Sequence, residues 1–222
     1  MPAYAIDAVI PVVDPTAFVH PTAVLIGDVV VGAGCYVGPG ASLRGDMGRI
    51  RICAGANVQD GCVLHCFPGR ETSVGPGGHI GHRAVLHGCR IGAGALIGIG
   101  ATVMDGATVG DRALVGAHSF VPADMTISGG HLALGSPARE VRVLTDAEIA
   151  WQANGPLVYQ ELAARSLASL HEVDPLPALP AERRALAVGQ ERAMPLREFR
   201  QADRPLAAPR VHAGVDSQSS AC

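Results

Sequence analysis

Residues 91–102 read IGAGALIGIGAT: two six-residue units, each opened by an aliphatic residue, followed by Gly, with a small residue four places after the opening one. Toward the carboxyl terminus the aliphatic slot recurs at Val103, Val109, Val115 and Val121. Toward the amino terminus the unit opened by Leu86 is one residue short, and Ile80 and Val74 recover the interval. An excursion, Cys66 to Ser73, separates these from Leu64, Val58 and Ile52. Three extra residues then precede Leu43, Val37, Val31, Leu25 and Val19. Two apolar slots per six residues match neither the helical period nor a simple hairpin array. They match a coil whose short strands turn at Gly-rich corners, where positive φ carries no steric cost. A Gly- and Pro-rich disordered segment is the alternative, and an aliphatic slot that is almost never skipped argues against it.

The composition fits such a coil. Of 222 residues, 28 are Gly and 16 Pro, and aromatics make up only 4%, so the core is built from Val, Ile, Leu and Ala. All the basic residues are Arg, which excludes Schiff-base, P-loop and general-base Lys chemistry. A net charge of −3 argues against a nucleic-acid surface. No run approaches the roughly 18 apolar residues of a membrane span. The amino terminus carries Asp7 and Asp14 but no Arg before Ala17, unlike a leader peptide. Six Cys without a leader read as reduced thiols in a cytoplasmic protein.

Beyond residue 130 the pattern changes. His131 to Val143 reads as a strand leaving the coil, and Thr145-Asp146-Ala147-Glu148 is a capping box. It opens a helix that Gly155-Pro156 should break near Asn154, with a second amphipathic helix over Leu157 to Glu172. The expected organisation is all-β over residues 1–130, an exit strand and carboxyl-terminal α-helices packing on the coil over 131–173, and a poorly ordered Pro/Ala/Arg-rich tail over 174–222.

Assigning three faces in rotation places the histidines. Leu64 and Leu86 fall on the same face, so His65 and His87, which directly follow them, occupy equivalent positions on neighbouring coils. Stacked strands lie about 4.8 Å apart, a spacing that lets two imidazoles share one metal. Arg44 stands in the same column. His82, two places after Ile80, lies at another edge of the prism. A three-fold assembly would bring that edge against the neighbour's first face, giving a site of His65 and His87 from one chain with His82 of the partner subunit. Three neutral imidazoles and an open fourth position describe a catalytic zinc site; three solvated outward histidines are the alternative. His79, three before His82, is too short a signal for a ligand. Cys66 and Cys89 stand close after His65 and His87, where a thiolate could compete for zinc. Cys35 and Cys62 fall in the small interior slot.

The segments Leu43-Arg44-Gly45-Asp46, Ala56-Asn57-Val58-Gln59-Asp60-Gly61, Val63-Leu64-His65 and Gly81-His82-Arg83-Ala84-Val85-Leu86-His87-Gly88 resemble the gamma-class carbonic anhydrases, hexapeptide-repeat proteins folded as a left-handed parallel β-helix. The resemblance implies zinc, or another divalent metal such as Fe2+ or Co2+, on His65, His82 and His87 in a homotrimer. It also implies an interface pair at Arg44 and Asp46, and polar residues near the metal-bound solvent at Asn57, Gln59 and Asp60. For the last three, ordinary corner chemistry is the alternative, and for the pair a purely structural role. Gly135-Ser136-Pro137-Ala138-Arg139 and the stretch from Leu144 to Leu170 resemble the phenylacetic acid degradation and carnitine-operon proteins within that family, which implies a link to CoA-thioester catabolism. Tyr159 could approach the site from its helix, with packing as the alternative. The implied activity is metal-bound hydroxide attack on CO2 or on a CoA thioester. The loop Cys66 to Thr72 carries Glu71 as its only carboxylate and Met47 follows Asp46, where the fastest family members carry acidic proton relays. A hexapeptide acyltransferase using CoA esters and a non-catalytic trimeric scaffold are the competing classes.

Overall fold

The computed structural model describes residues 2–186 and 192–201. Short strands stack in parallel, in register, as a left-handed β-helix. On one face Leu43, Leu64, Leu86, Val103 and Val121 form a column of paired residues. On the second, Ile52, Val74, Ile91, Val109 and Ile127 do so. On the third, Val37, Val58, Ile80, Ile97 and Val115 align. The pairing of Ile91 with Val74 shows that the short unit after Leu86 does not break the rotation. The eleven-residue strand Ser42–Ile52 rounds a corner and joins the first two faces into a twelve-stranded sheet, while the third face is a separate eight-stranded sheet. These inward residues are fully buried. Truncating Leu64 or Leu86 to Ala would cost about 2–5 kcal/mol through lost burial and the cavity left behind.

The excursion after His65 returns to the sheet as the strand Glu71–Val74, paired with Arg49–Ile52. Thr72 ties it down: its buried hydroxyl donates to the His65 carbonyl at 2.6 Å and accepts the Gly88 N–H at 2.8 Å. At the far end the strand His131–Gly135 stacks on Leu114–Val115 and turns back as Ala138–Val143.

The expected break at Gly155-Pro156 is corrected. One helix, α1 (Asp146–Ser169), runs through both residues. It opens on the expected capping box, Thr145 accepting from the Glu148 N–H and Glu148 from the Thr145 N–H. Pro156 removes one helical hydrogen bond, but docking on the third face holds the helix on both sides of it. Before it, Gln152 Nε2 donates to the carbonyls of Gly94 and Ala113. After it, Tyr159 packs on Tyr36, Gln160 donates to the Gly55 carbonyl, and Ala163 joins Phe18 and Tyr36 in a small cluster. Gly55 takes φ +67 at its corner, and a Cβ there would run into Gln160.

In the tail, residues 174–186 form neither helix nor strand and are exposed, whereas 192–201 depart from expectation. Leu196–Gln201 forms a short helix, α2, and the segment before it is fixed to α1. Trp151 Nε1 donates to the Met194 carbonyl, Arg192 pairs with Glu161, and Arg200 pairs with Glu148 at 2.7 Å. Polar contacts, which weak periodicity does not reveal, order this stretch. The rest of the tail expectation, over 187–191 and 202–222, lies outside the described residues. Cys35, Cys62, Cys66 and Cys89 are free thiols, and the expectation for Cys222 lies outside the described residues. Among the described residues no helix is long and apolar enough to cross a membrane.

Candidate functional site

His65 and His87 are directly paired across neighbouring strands, as the repeat register requires. Both are only partly exposed, at 16% and 21% of the side chain, because each backs onto a carboxylate. His65 Nε2 donates to Asp46 Oδ1 at 3.1 Å, and Asp46 Oδ2 accepts from Arg44 Nε at 3.0 Å. Burial pushes the Asp46 carboxyl up, but the Arg44 hydrogen bond and charge, with His65, outweigh it and hold it below the usual carboxylate range. His87 Nδ1 donates to Asp105, whose two oxygens lie at 2.8 and 2.9 Å. With those N–H groups donated to the carboxylates, the remaining nitrogens, His65 Nδ1 and His87 Nε2, face each other at 3.1 Å. Two facing lone pairs repel unless a cation or a proton lies between them.

That donor set fits a metal. Two nitrogens at about 2.0–2.1 Å from a tetrahedral zinc stand about 3.3 Å apart, and ligating imidazoles commonly give their other N–H to a carboxylate. Among the described residues no group of three or more His, Cys, Asp or Glu side chains is arranged to hold a metal. His82 stands apart, beyond the strand His79–Ile80 of the third face. Its Nδ1 lies 2.5 Å from Asp60 Oδ2, which leaves Nε2 for another partner. Its backbone N–H donates to Gln59 Oε1 at 3.2 Å.

Asn57 and Gln59 are buried, at 0% and 3% exposure, in a network that the corner reading does not describe. Neither they nor Asp60 has positive φ; the corner after His82 is turned by Arg83 at φ 58. Gln59 Nε2 donates to Asn57 Oδ1, and the two amides flank the ring nitrogens of His79 at 2.9 and 3.1 Å. Burial, with the nearby His82 second, lowers the His79 pKa to about 4, so the ring is neutral. Tyr159 meets His79 edge-on at 5.5 Å and packs on Tyr36. Burial raises its phenol to about 12. The Arg44–Asp46 pair forms within one chain, two residues apart on one strand edge. Cys66 and Cys89 are both buried, and burial raises both thiols, Cys89 to about 12. Cys35 and Cys62 lie fully buried, as the interior slot requires.

Sequence reading missed Asp105. It sits in the turn Met104-Asp105-Gly106, one coil above His87, and looks like any corner aspartate. The register places Met104, not Asp105, one coil above His87, so the histidine column gave no signal for it.

Fold and period define a hexapeptide-repeat left-handed β-helix protein. The profile of the bacterial transferase hexapeptide family (six repeats) matches residues 88–123. The carnitine operon protein CaiE of Shigella flexneri is 52% identical over 176 residues, covering 79% of this chain and 90% of the relative. That of Escherichia coli O157:H7 matches to the same extent, again 52% over 176 residues. The chain belongs to the CaiE family of gamma-carbonic-anhydrase-like hexapeptide-repeat proteins. Among solved structures, a hexapeptide transferase family protein from Anaplasma phagocytophilum superposes with TM-score 0.71 and 33% identity over 73% of this chain and 96% of that one. The BC4754 gene product of Bacillus cereus does so with TM-score 0.74 and 31% identity over 75% and 96%.

Proposed function

We propose that the chain is a metal-dependent enzyme of the gamma-carbonic-anhydrase type, acting on CO2 or on a CoA thioester from a site shared between subunits of a homotrimer. The observation that carries this reading is the 3.1 Å approach of His65 Nδ1 and His87 Nε2, each ring backed by its own carboxylate. Zn2+, or Fe2+ or Co2+, held there with His82 of the partner subunit, would supply a water whose pKa falls from about 15.7 toward about 7. Asp46 and Asp105 fix the tautomers and orientations of His65 and His87, and Arg44 holds Asp46. Asp60 orients His82, and Gln59, locked by Asn57 and His79, fixes the backbone beneath it. CO2 hydration then yields bicarbonate and a proton. Thioester hydrolysis adds water across the carbonyl carbon–sulfur bond, giving a carboxylate, a free thiol and a proton. Relatives named for a carnitine operon support the second chemistry, as does the phenylacetate resemblance.

A transferase reading is favoured by the family profile and by the Anaplasma neighbour. It has a His deprotonate an acyl acceptor, and it predicts turnover that survives metal removal and depends on that acceptor. A silent scaffold predicts neither metal nor turnover. Metal analysis of full-length protein purified without a His-tag separates the three. The expected result is about one ion per chain after reconstitution, since a three-fold ring has as many interfaces as chains. Fewer than about 0.3 would overturn the proposal.

A further inference from the structure

We infer that Phe67 of each subunit is seated in the groove that its partner opens between α1 and the third face, beside the shared histidines. The inference rests on the shared-site reading and adds to it a residue that no histidine spacing supplies. Phe67 opens the turn Phe67-Pro68-Gly69-Arg70, which is closed by the Arg70 N–H on the Phe67 carbonyl at 3.1 Å, with Gly69 at φ +70. The turn lies so close on Gly48 that a Cβ there would strike the Arg70 carbonyl. Buried Cys66 adds a contact, its Sγ 3.4 Å from that same oxygen. The Phe67 ring is thus held in place, 57% exposed, edge-on to His87 at 4.9 Å. A lone exposed Phe needs no explanation. One fixed beside a proposed metal ligand stands at the proposed interface.

Topology supplies the pairing. The turn joins Val63–His65 on the first face to Glu71–Val74 on the second, so it occupies the vertex opposite the third face and α1. Phe67 therefore cannot reach α1 of its own chain. His82 stands at a different vertex, between the third face and the first. A metal held by His65, His87 and the partner's His82 brings those two vertices together. The groove starts at that second vertex: a cavity of about 420 Å3 runs from His82 and Ile99 over Ile97 to Trp151 and Tyr159. Ile99 is 51% exposed. On the first face the outward side chains of Val63 and Phe120 are exposed and apolar, which suits that face to the centre of a ring. The partner's third face then turns outward, beside Phe67. An aromatic ring seated in an apolar pocket is the usual anchor of a stable interface.

Full-length protein carrying Phe67→p-benzoylphenylalanine is irradiated, and its cross-linked peptides are identified by mass spectrometry. Covalent dimers and trimers should form, with links from position 67 to peptides containing residues 97–99 or 151–159. Because those residues lie across the prism from the turn, such links join different chains. Links confined to one chain, or to other surfaces of the partner, overturn the proposal. Phe67→Ala and Phe67→Leu give a second reading without photochemistry. Phe67→Ala should raise the trimer dissociation constant about tenfold or more in sedimentation, and Phe67→Leu should raise it less. Trp151, the chain's single Trp, lines the groove, and its emission should move to the red in Phe67→Ala as water enters. Unchanged dissociation and emission, the result expected of a Phe that only orients His87 in its own chain, overturn the proposal. Metal is counted on the same samples. Links between chains in protein that binds no metal would refute the metal reading alone. About one ion per chain with links confined to one chain would refute this inference alone.

Discussion

His65 and His87 meet because two leucines, Leu64 and Leu86, pair across adjacent coils; the chemistry of the pair is set by what stands behind each ring. Among the described residues the Asp105 side chain hydrogen-bonds His87, so under the proposed metal reading it is a positioning residue. Asp105→Ala should weaken metal binding about 10–100-fold in competition with a chelator. Asp105→Asn, whose Oδ1 can still accept from His87 Nδ1, should recover part of that loss. An unchanged affinity in Asp105→Ala would show that the contact does not serve the metal. The register of the histidines was legible in the sequence because a six-residue period has only one way to stack. Asp105 was not, because a turn aspartate and a ring-orienting aspartate use the same residue at the same corner. Asn57 and Gln59 were read for chemistry or for corners; the structure buries them on His79, a residue whose isolated spacing carried no signal.

Helix α1 shows tertiary packing overruling local signals. Gly155-Pro156 spells a break, yet contacts at Gln152 on one side and Tyr159 on the other keep the helix whole. Replacing a helical Gly by Ala normally gains about 1 kcal/mol. At Gly155 a Cβ would approach His79 to 2.9 Å, and that ring is fixed between Asn57, Gln59 and Tyr159. Gly155→Ala should therefore lose about 1–3 kcal/mol, read as a lower midpoint in denaturant. The helix start carries a pH dependence as well. Glu148 is buried, and Arg142, with Thr145, outweighs burial and holds its carboxyl near pKa 2, below its ordinary 4.5. That stabilisation is complete above pH 4.5 and is lost as pH falls toward 2. Buried neutral His79 acts in the same direction, its contribution fading as pH falls from 6.5 through 4. Acid titration of unfolding should show both losses, and Glu148→Gln should flatten only the lower one.

At the scale of the molecule, the β-helix was readable end to end, since an inward aliphatic residue every six positions specifies coil, core and column together. The fixed segment after Arg192 was not, because Arg–Glu pairs and one indole bond leave no period. Assembly follows from the same geometry: His65 and His87 share a column on one face, and His82 stands beyond a strand of another sheet. A site using all three must close between chains as a heterologous ring, so sedimentation at micromolar concentration should give a trimer. The division of ligands can be tested directly. His65→Ala chains and His82→Ala chains should each be inactive, since losing one of three ligands cripples a catalytic metal site. After exchange into mixed trimers, some interfaces will set an intact His65/His87 column from one chain against an intact His82 from another. Those interfaces should regain metal and activity well above either parent. Mixing His65→Ala with His87→Ala should recover nothing, because both lesions damage the same half of the site. Equal recovery from the two mixtures, or none from the first after exchange is confirmed by mass, would mean that His82 does not complete a column on a neighbouring subunit.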